Sequence, residues 1–318
     1  MAKNLVEVKG LTKYFKTPRG PLHAVDDVSF SIKEGSTLGV VGESGCGKST
    51  TGRSILRLIE PTSGQVIFDG GDVLQFTEKE LRKARRDMQI IFQDPFSSLD
   101  PRNTVSQIIA EPLKIHRILT KKGEIEDRVL ELMETVGLAE RLYNTYPHEL
   151  DGGRRQRIGI ARALSVNPKF IVCDEPVSAL DVSIQAQILN LLGELQEKLK
   201  LTYLFITHDL SVVHYFSDEI AVMYLGKLVE KAPTEELFQR PLHPYTQALL
   251  SAIPSTELGP RRERIILRGE VTSPVNLPNE CRFAGRCSYV RPQCREDIPP
   301  LREIRPNHFV ACNFPLEE

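Results

Sequence analysis

Residues 42–49 read GESGCGKS and have the G-x-x-x-x-G-K-S form of a phosphate-binding loop. The glycines let successive backbone N–H groups close around phosphate oxygens at the positive end of the following helix. Lys48 can reach the outer phosphates of a nucleotide, and the Ser49 hydroxyl can bind Mg²⁺. The segment predicts an NTPase without specifying its kind. The predicted nucleotide-binding residues here are Gly42, Glu43, Ser44, Gly45, Cys46, Gly47, Lys48, Ser49 and Thr50.

Two adjacent carboxylates, Asp174 and Glu175, follow the apolar residues 170–173. An acid in this place is the Mg²⁺-linked residue of a phosphate-loop NTPase, so we expect Asp174 to bind the ion. A carboxylate at Glu175 can polarise the attacking water as a general base. The alternative is a pair of acids that only ends a strand. The phosphate loop upstream favours the catalytic interpretation.

Hydrophobic patterning indicates the elements that must position these residues. Residues 37–41, 170–173 and 202–206 are short apolar runs, as expected of buried parallel strands. Residues 48–59 are typical of a helix that Pro61 stops. Strands that alternate with helices predict an α/β fold with a mostly parallel sheet. Ligands of such sheets bind at the carboxyl ends of the strands, where the candidate residues lie.

The pattern of residue types changes twice along the chain. Residues 94–166 are helical in pattern, and residues 125–136 place apolar side chains on one face of an amphipathic helix. After Lys231 proline and arginine become frequent and the apolar periodicity fades. We therefore predict a domain boundary between residues 230 and 240.

Gln93, residues 150–156 and His208 complete an ordered set that resembles the ATPase subunit of an ABC transporter. The resemblance implies a phosphate-loop core with a mixed, mostly parallel sheet and a helical subdomain at about 94–166. It also implies that Gln93 senses Mg²⁺ and water, and that His208 contacts the γ-phosphate and couples to Glu175. The implied catalytic residues are Glu175, His208, Gln93 and Lys48, and the implied Mg²⁺ ligands are Ser49, Gln93 and Asp174.

Two shorter segments extend this resemblance. Residues 11–15 are similar to the A-loop, in which an aromatic ring stacks on adenine. By register we expect Phe15 rather than Tyr14 to be that ring, and a core role for either ring is the alternative. Residues 178–181 match the D-loop, which in the family crosses to a partner ATPase. The alternative there is a plain turn and helix N-cap.

Residues 150–156, LDGGRRQ, occupy the place of the LSGGQ signature, which in the family caps the γ-phosphate of ATP held by the other subunit. The signature residues expected to face that ATP are Asp151, Gly152 and Gly153. Aspartate replaces the usual serine, which suits a helix N-cap but places an acceptor carboxylate where a donor is needed. Arg154 or Arg155 can partly compensate. We therefore expect an asymmetric pair of ATPase subunits, with the Asp151 site weaker or regulatory.

Residues 243–250 resemble the start of the C-terminal extension of oligopeptide and dipeptide importer ATPases, closest to their second, F-type subunit. The implied domains are a nucleotide-binding domain at 1–235 and an extension at 236–318. In this branch a four-cysteine set is associated with a [4Fe–4S] cluster, whose charge nearby arginines can offset. Zinc or unligated thiols are the alternatives, although structural zinc sites usually have tighter cysteine pairs. The cysteines concerned are Cys281, Cys287, Cys294 and Cys312.

Composition excludes other classes of protein. With 41 basic and 42 acidic residues the net charge is −1, which argues against a nucleic-acid-binding surface. No signal peptide and no apolar run of membrane-spanning length is evident, so any work at a membrane must be done through partner subunits. The resemblance implies a protein peripheral to the cytoplasmic face of the membrane. Its expected partners are a second ATPase, two permease subunits and an external binding protein.

The resulting functional prediction is an ATP-hydrolysing motor of a peptide importer, with ATP and Mg²⁺ as cofactors. The alternatives are a transporter of the same type for sugars or metals, and a soluble ABC ATPase of DNA repair or translation. The single cassette and the lack of sustained heptads argue against the soluble class. A nucleotide-dependent binding module without turnover is disfavoured by Glu175 and His208.

Overall fold

The computed structural model describes residues 3–253, 264–267, 269 and 273–316. The chain forms two compact units. The helical unit comprises Met1–Lys3, Lys33–Ser36 and Gln75–Leu204, and the phosphate-loop unit comprises Asn4–Ile32, Thr37–Leu74 and Phe205–Glu318.

Strands and helices alternate through much of the chain. The strands are β1 (Asn4–Thr17), β2 (Gly20–Lys33), β3 (Thr37–Val41), β4 (Ser63–Phe68), β5 (Gly71–Asp72), β6 (Met88–Ile91), β7 (Phe170–Asp174), β8 (Thr202–Ile206), β9 (Glu219–Tyr224), β10 (Lys227–Pro233), β11 (Arg302–Arg305) and β12 (His308–Val310). The helices are α1 (Lys48–Ile55), α2 (Glu78–Asp87), α3 (Val105–Ile115), α4 (Lys122–Thr135), α5 (Gly152–Leu164), α6 (Val182–Leu199), α7 (Leu210–Phe216), α8 (Thr234–Gln239) and α9 (Pro244–Ser251).

The phosphate-loop unit contains two groups of paired strands. One has the order β2-β1-β4-β5, with β1 and β4 antiparallel and Val6 opposite Phe68. The other runs β11-β12-β10-β9-β3, and it mixes antiparallel pairs with the parallel pair β3–β9. Every residue of β3 is buried, which explains why its sequence is uniformly apolar or small. The last strands of the chain thus extend the strand group that carries the phosphate loop.

The helical unit combines a parallel strand pair with most of the long helices. Strands β6 and β7 pair in parallel, with Ile91 opposite Cys173. Helix α4 buries Val129, Leu132 and Met133, as its apolar spacing predicted. Among the described residues no helix is long and apolar enough to cross a bilayer.

Several predicted bounds are confirmed and two are wrong. Strands β3 and β8 coincide with the predicted residues 37–41 and 202–206. Helix α1 ends at Ile55, short of the predicted residue 59, because Arg57 has a left-handed backbone with φ of 50°. Strand β7 extends to Asp174, one residue beyond the predicted strand 170–173.

Candidate active site

The phosphate loop joins the end of β3 to the start of α1 and is tightly packed in its unit. Gly42 has φ of 152°, and a Cβ there would lie 2.2 Å from the carbonyl oxygen of Met223. Gly47 has φ of 104°, and its Cβ would lie 2.0 Å from the carbonyl oxygen of Ala24. Both positions therefore require glycine. The loop presents the N-terminus of α1, which is the kind of backbone that binds phosphate.

Lys48 lies at the first position of α1 and is buried. Its Nζ donates to the carbonyl oxygens of Gly42 and Glu43 at 2.8 and 3.0 Å. The ammonium group therefore connects the end of the loop to its first two residues. Cys46 is also buried, and burial raises the pKa of its thiol, so it is a packing residue rather than a nucleophile.

His208 lies in the same unit as the phosphate loop. The preceding residue, Thr207, donates its backbone N–H to the carbonyl oxygen of Val40 at 3.1 Å. This bond fixes the exposed His208 beside the carboxyl end of β3, where the loop begins. In the sequence, this histidine was identified only by its place in the ordered set of motifs. The backbone bond supplies a physical reason for its position.

The two candidate rings of the A-loop have different surroundings. Tyr14 donates its hydroxyl to Asp26 at 2.7 Å, and its ring lies 4.1 Å from that of His23. Burial, and then the bond to Asp26, raises the pKa of Tyr14 to about 12. Phe15 is 37% exposed, with Lys13 Nζ 4.9 Å from its ring centre. Tyr14 is therefore engaged within the protein, and Phe15 presents the accessible ring.

In the helical unit, Gln93 and Glu175 are in direct contact. Gln93 Nε2 donates to Glu175 Oε2 at 2.9 Å. Glu175 follows the fully buried Asp174 at the end of β7 and has a left-handed backbone with φ of 48°. This conformation is uncommon for residues other than glycine. The structure thus brings together two of the residues predicted to act on the attacking water.

The signature segment opens α5 with Asp151 as its N-cap. Asp151 Oδ1 accepts the backbone N–H of Arg154 at 2.8 Å, and Oδ2 lies 3.4 Å from Arg154 Nε. Cβ atoms on Gly152 or Gly153 would crowd the side chains of Leu180 and Ile184, which belong to the D-loop and the start of α6. The signature and the D-loop are therefore neighbours, and the charge of Asp151 is partly offset by Arg154.

The four cysteines between residues 281 and 312 line one small cavity of about 20 Å³ in the phosphate-loop unit. Apolar neighbours complete the wall. Burial, with the charges of the other three cysteines, raises the pKa of Cys312 to about 11, and burial also raises the pKa of Cys281 and Cys287. Within the described part of the chain no three His, Cys, Asp or Glu side chains are arranged to hold a metal ion. The lining residues include Cys281, Cys287, Cys294, Cys312, His243, Phe283 and Phe314.

The arginines near these cysteines are not among the residues that line the cavity. Arg291 stacks on Phe314, which lines the cavity. The other three are in ion pairs: Arg282 with Asp26, Arg286 with Glu43 and Arg295 with Glu280. Two of these partners lie near the predicted nucleotide-binding residues: Glu43 belongs to the phosphate loop, and Asp26 accepts a hydrogen bond from Tyr14. Sequence reasoning missed both pairs, because nothing in the local spacing links the last part of the chain to residues 26 and 43.

Comparison with protein-family models gives two matches along the chain. A model of the ABC transporter family matches residues 25–178. A model of the oligopeptide/dipeptide transporter C-terminal region matches residues 229–294. The first match includes the phosphate loop, Gln93, the signature and Glu175, and the second includes three of the four cysteines.

Similar full-length proteins include the oligopeptide transport ATP-binding protein AppF of Bacillus subtilis (strain 168), which is 53% identical over 322 residues, with 98% of each chain covered. A putative peptide import ATP-binding protein of Brucella ovis is 54% identical over 308 residues, with 97% of each chain covered. The similarity therefore extends through the cysteine segment as well as the core.

Solved structures agree on the fold. The ATP-binding cassette MJ0796, in a dimeric post-hydrolysis state with ADP and Pi, is 34% identical with a TM-score of 0.67, covering 72% of this chain and 98% of that one. The cbiO1 protein of Clostridium perfringens is 28% identical with a TM-score of 0.65, covering 74% and 91%. The predicted fold class, a phosphate-loop core with a mixed sheet and helices, is confirmed.

Proposed function

The chain belongs to the ATP-binding subunits of ABC transporters, in their oligopeptide and dipeptide branch, and from this premise we propose that it drives peptide import. It is an ATPase of this family, and the cargo enters through partner subunits. The observation that carries the peptide assignment is the identity above 50% to peptide-transport relatives over almost the whole chain, extension included. We further propose residues 1–235 as the nucleotide-binding domain and 236–318 as the extension.

The proposed partners follow from the same premise. A second ATPase subunit, two permease subunits and an external peptide-binding protein would complete the transporter, with this chain at the cytoplasmic face of the membrane. The dimeric state of the MJ0796 cassette supports the pairing of two cassettes. Closure of the pair on ATP would drive alternating access in the permeases.

Roles at the nucleotide are proposed residue by residue. Phe15 stacks on adenine, residues 42–50 bind the phosphates through backbone amides, and Lys48 binds the outer phosphates. The oxygen donors of Ser49, Gln93 and Asp174 fit Mg²⁺, which when bound neutralises charge on the phosphates. The fit rests on donor chemistry: one hydroxyl, one amide and one fully buried carboxylate are hard oxygen ligands.

Hydrolysis is proposed to depend on Glu175 as the general base. Its carboxylate accepts a proton from the water that attacks the γ-phosphorus, while the bond from Gln93 orients the carboxylate. His208 donates to the γ-phosphate and stabilises the charge that develops on its oxygens. The reaction needs no covalent intermediate, so positioning and electrostatics supply the acceleration.

The two ATP sites of the pair are proposed to differ. Asp151 would face the γ-phosphate of ATP bound by the partner subunit, through Gly152 and Gly153. Its carboxylate offers no donor and repels phosphate, although Arg154 reduces that repulsion. The partner is therefore proposed to be a different chain that carries an intact signature.

We propose a [4Fe–4S] cluster at the four-cysteine cavity, with zinc as the alternative. Four thiols that line one largely apolar cavity are a suitable donor set. The wide spacing of these cysteines in sequence counts against zinc, whose structural sites usually have tighter cysteine pairs. Anaerobic purification followed by iron, sulfide and zinc analysis tests this. About four irons per chain would support it, and about one zinc without iron would replace it with the alternative.

The deciding experiment for the function is a mild-detergent pull-down of tagged protein from its native membranes, with mass spectrometry of the bound chains. Two permeases and a second ATPase are expected, and the binding protein encoded beside them would identify the cargo. Recovery with ribosomes or DNA, or with no membrane partner, would contradict the importer assignment.

A further inference from the structure

The C-terminal segment contacts the phosphate loop at one residue, Glu43, in two independent ways. Arg286 Nη1 lies 2.7 Å from Glu43 Oε2. Separately, the backbone N–H of Glu43 donates to the hydroxyl oxygen of Tyr245 at 3.0 Å. Both the side chain and the backbone of the second loop residue are therefore fixed by residues that lie far along the chain.

These contacts are buried rather than superficial. The Arg286 side chain is 10% exposed and that of Glu43 is 24% exposed. Arg286 also donates to the Tyr224 hydroxyl at 3.3 Å. Bonding to Glu43 is the main cause that raises the pKa of Arg286, so its charge is permanent. A partly buried pair of this kind is worth more than an ion pair in water.

Rigid packing holds both partners in place. Tyr245 is fully buried, with its ring 4.7 Å from that of Tyr224 and 5.4 Å from that of Phe283. Arg286 ends a tight turn in which its backbone N–H donates to the carbonyl oxygen of Phe283. The two groups that contact Glu43 are thus set by the fold and do not depend on a flexible side chain alone.

We propose that Arg286 and Tyr245 are positioning residues for ATP, acting through Glu43. The inference rests on the proposed role of residues 42–50 in phosphate binding. Glu43 places a negative charge in a loop whose task is to bind anions, and Arg286 compensates that charge. The Tyr245 hydroxyl accepts the Glu43 N–H and so fixes the orientation of the backbone amide at the start of the phosphate loop. The C-terminal extension is therefore part of the machinery that sets nucleotide affinity.

The test is a titration of the full-length chain with a fluorescent N-methylanthraniloyl ATP in the presence of Mg²⁺. R286Q is expected to weaken binding about 10-fold, because the phosphate-binding loop then carries an uncompensated carboxylate. Y245F, which removes one oxygen, is expected to weaken it about fivefold. The matched control is R295Q, whose arginine follows Cys294 in the same segment but pairs with Glu280. It should bind as the wild type does.

Two readouts separate positioning from general destabilisation. E43Q/R286Q should bind ATP more tightly than R286Q, because the repelling charge is gone. The loss in R286Q should also be larger for ATP than for ADP, since ATP carries more charge. Thermal unfolding followed by circular dichroism identifies any variant that fails to fold. R286K, which keeps the charge, and Y245F then remain as tests.

The outcomes are distinguishable. If the wild type does not bind ATP, or K48A binds as well as the wild type, the proposed role of the loop fails. If the wild type binds, K48A does not, and folded R286Q and Y245F match R295Q, the positioning proposal alone is overturned. Equal loss in R286Q and E43Q/R286Q would overturn the charge-compensation argument.

Discussion

The side-chain amide of Gln93 donates to the carboxylate of Glu175 at 2.9 Å, although 82 residues separate them in sequence. Glu175 is held in a left-handed backbone conformation at the end of β7. The amide and the backbone together define the direction of the carboxylate. A general base must lie within hydrogen-bond reach of its water, so the proposed mechanism of hydrolysis depends on this orientation.

Replacing Glu175 by glutamine should separate ATP binding from hydrolysis. E175Q keeps the size and the polar contact with Gln93 but removes the proton acceptor. We expect phosphate release by the assembled pair to fall by about 100-fold or more, with ATP binding retained. The matched control is E197Q on the exposed end of α6, which should hydrolyse at the wild-type rate. Wild-type phosphate release by E175Q would exclude Glu175 as the base.

Restoring a serine at the signature should activate the second ATP site. D151S removes a charge and supplies a hydroxyl donor, and we expect the ATPase rate of the pair to rise about fivefold. Because serine caps a helix about as well as aspartate, the free energy of unfolding should change by less than about 0.5 kcal/mol. D151A separates the effects, since it loses the bond to the Arg154 N–H and adds no donor. Unchanged rate and ATP affinity in D151S would refute the asymmetry.

Loss of the exposed A-loop ring should weaken nucleotide binding without unfolding the protein. F15A is expected to reduce ATP affinity about 10-fold, because a stacked base contributes roughly 1–3 kcal/mol. F15W should retain most of the affinity. The comparison variant is Y14F, which keeps the ring and loses the bond to Asp26. The affinities are measured by nucleotide titration. A larger loss of ATP affinity in Y14F than in F15A would show that the assignment of the adenine contact to Phe15 is wrong.

His243 should make stability depend on pH below neutrality. Burial lowers its pKa to about 4, against the opposing charge of Glu230, and its Nδ1 accepts the Tyr245 N–H. Between pH 6.5 and pH 4 this histidine is protonated in the unfolded chain, where its pKa is near 6.5, but stays neutral in the folded chain. This contribution is therefore present above pH 6.5 and is lost as the pH falls toward 4, by at most about 1.4 kcal/mol per pH unit.

The check is urea unfolding of the wild type and H243N at pH 7.5 and pH 5. Asparagine can accept the same N–H but does not titrate. Glu230 and His308, which are in contact at 2.7 Å, are present in both proteins and cancel in the comparison. H243N should lose less stability than the wild type on acidification, and equal losses would contradict the argument.

The sequence predicted the bounds of a strand or helix well where its own residues carried the signal. Strands β3 and β8 were predicted to the residue because full burial makes their sequence continuously apolar. The end of α1 was wrong because apolar residues continue past Ile55 while the backbone turns at Arg57.

Residues of the candidate site divide in the same way. Motif residues could be identified from the sequence because each family motif is contiguous. Only the structure shows that Gln93 donates a hydrogen bond to Glu175 and that Tyr14 donates one to Asp26. The pair of Arg286 and Glu43 had no sequence signal at all. It is made by tertiary packing between segments 243 positions apart.

That separation has a consequence for the newborn chain. A ribosome that adds about 5–20 residues per second finishes the phosphate loop roughly 10 to 50 seconds before it reaches Arg286. During this interval the loop lacks the arginine, and for most of it also the tyrosine, that contact Glu43 in the completed protein. If these residues position ATP as proposed, full affinity for ATP is acquired late in synthesis, and a polypeptide interrupted before Arg286 would bind ATP more weakly.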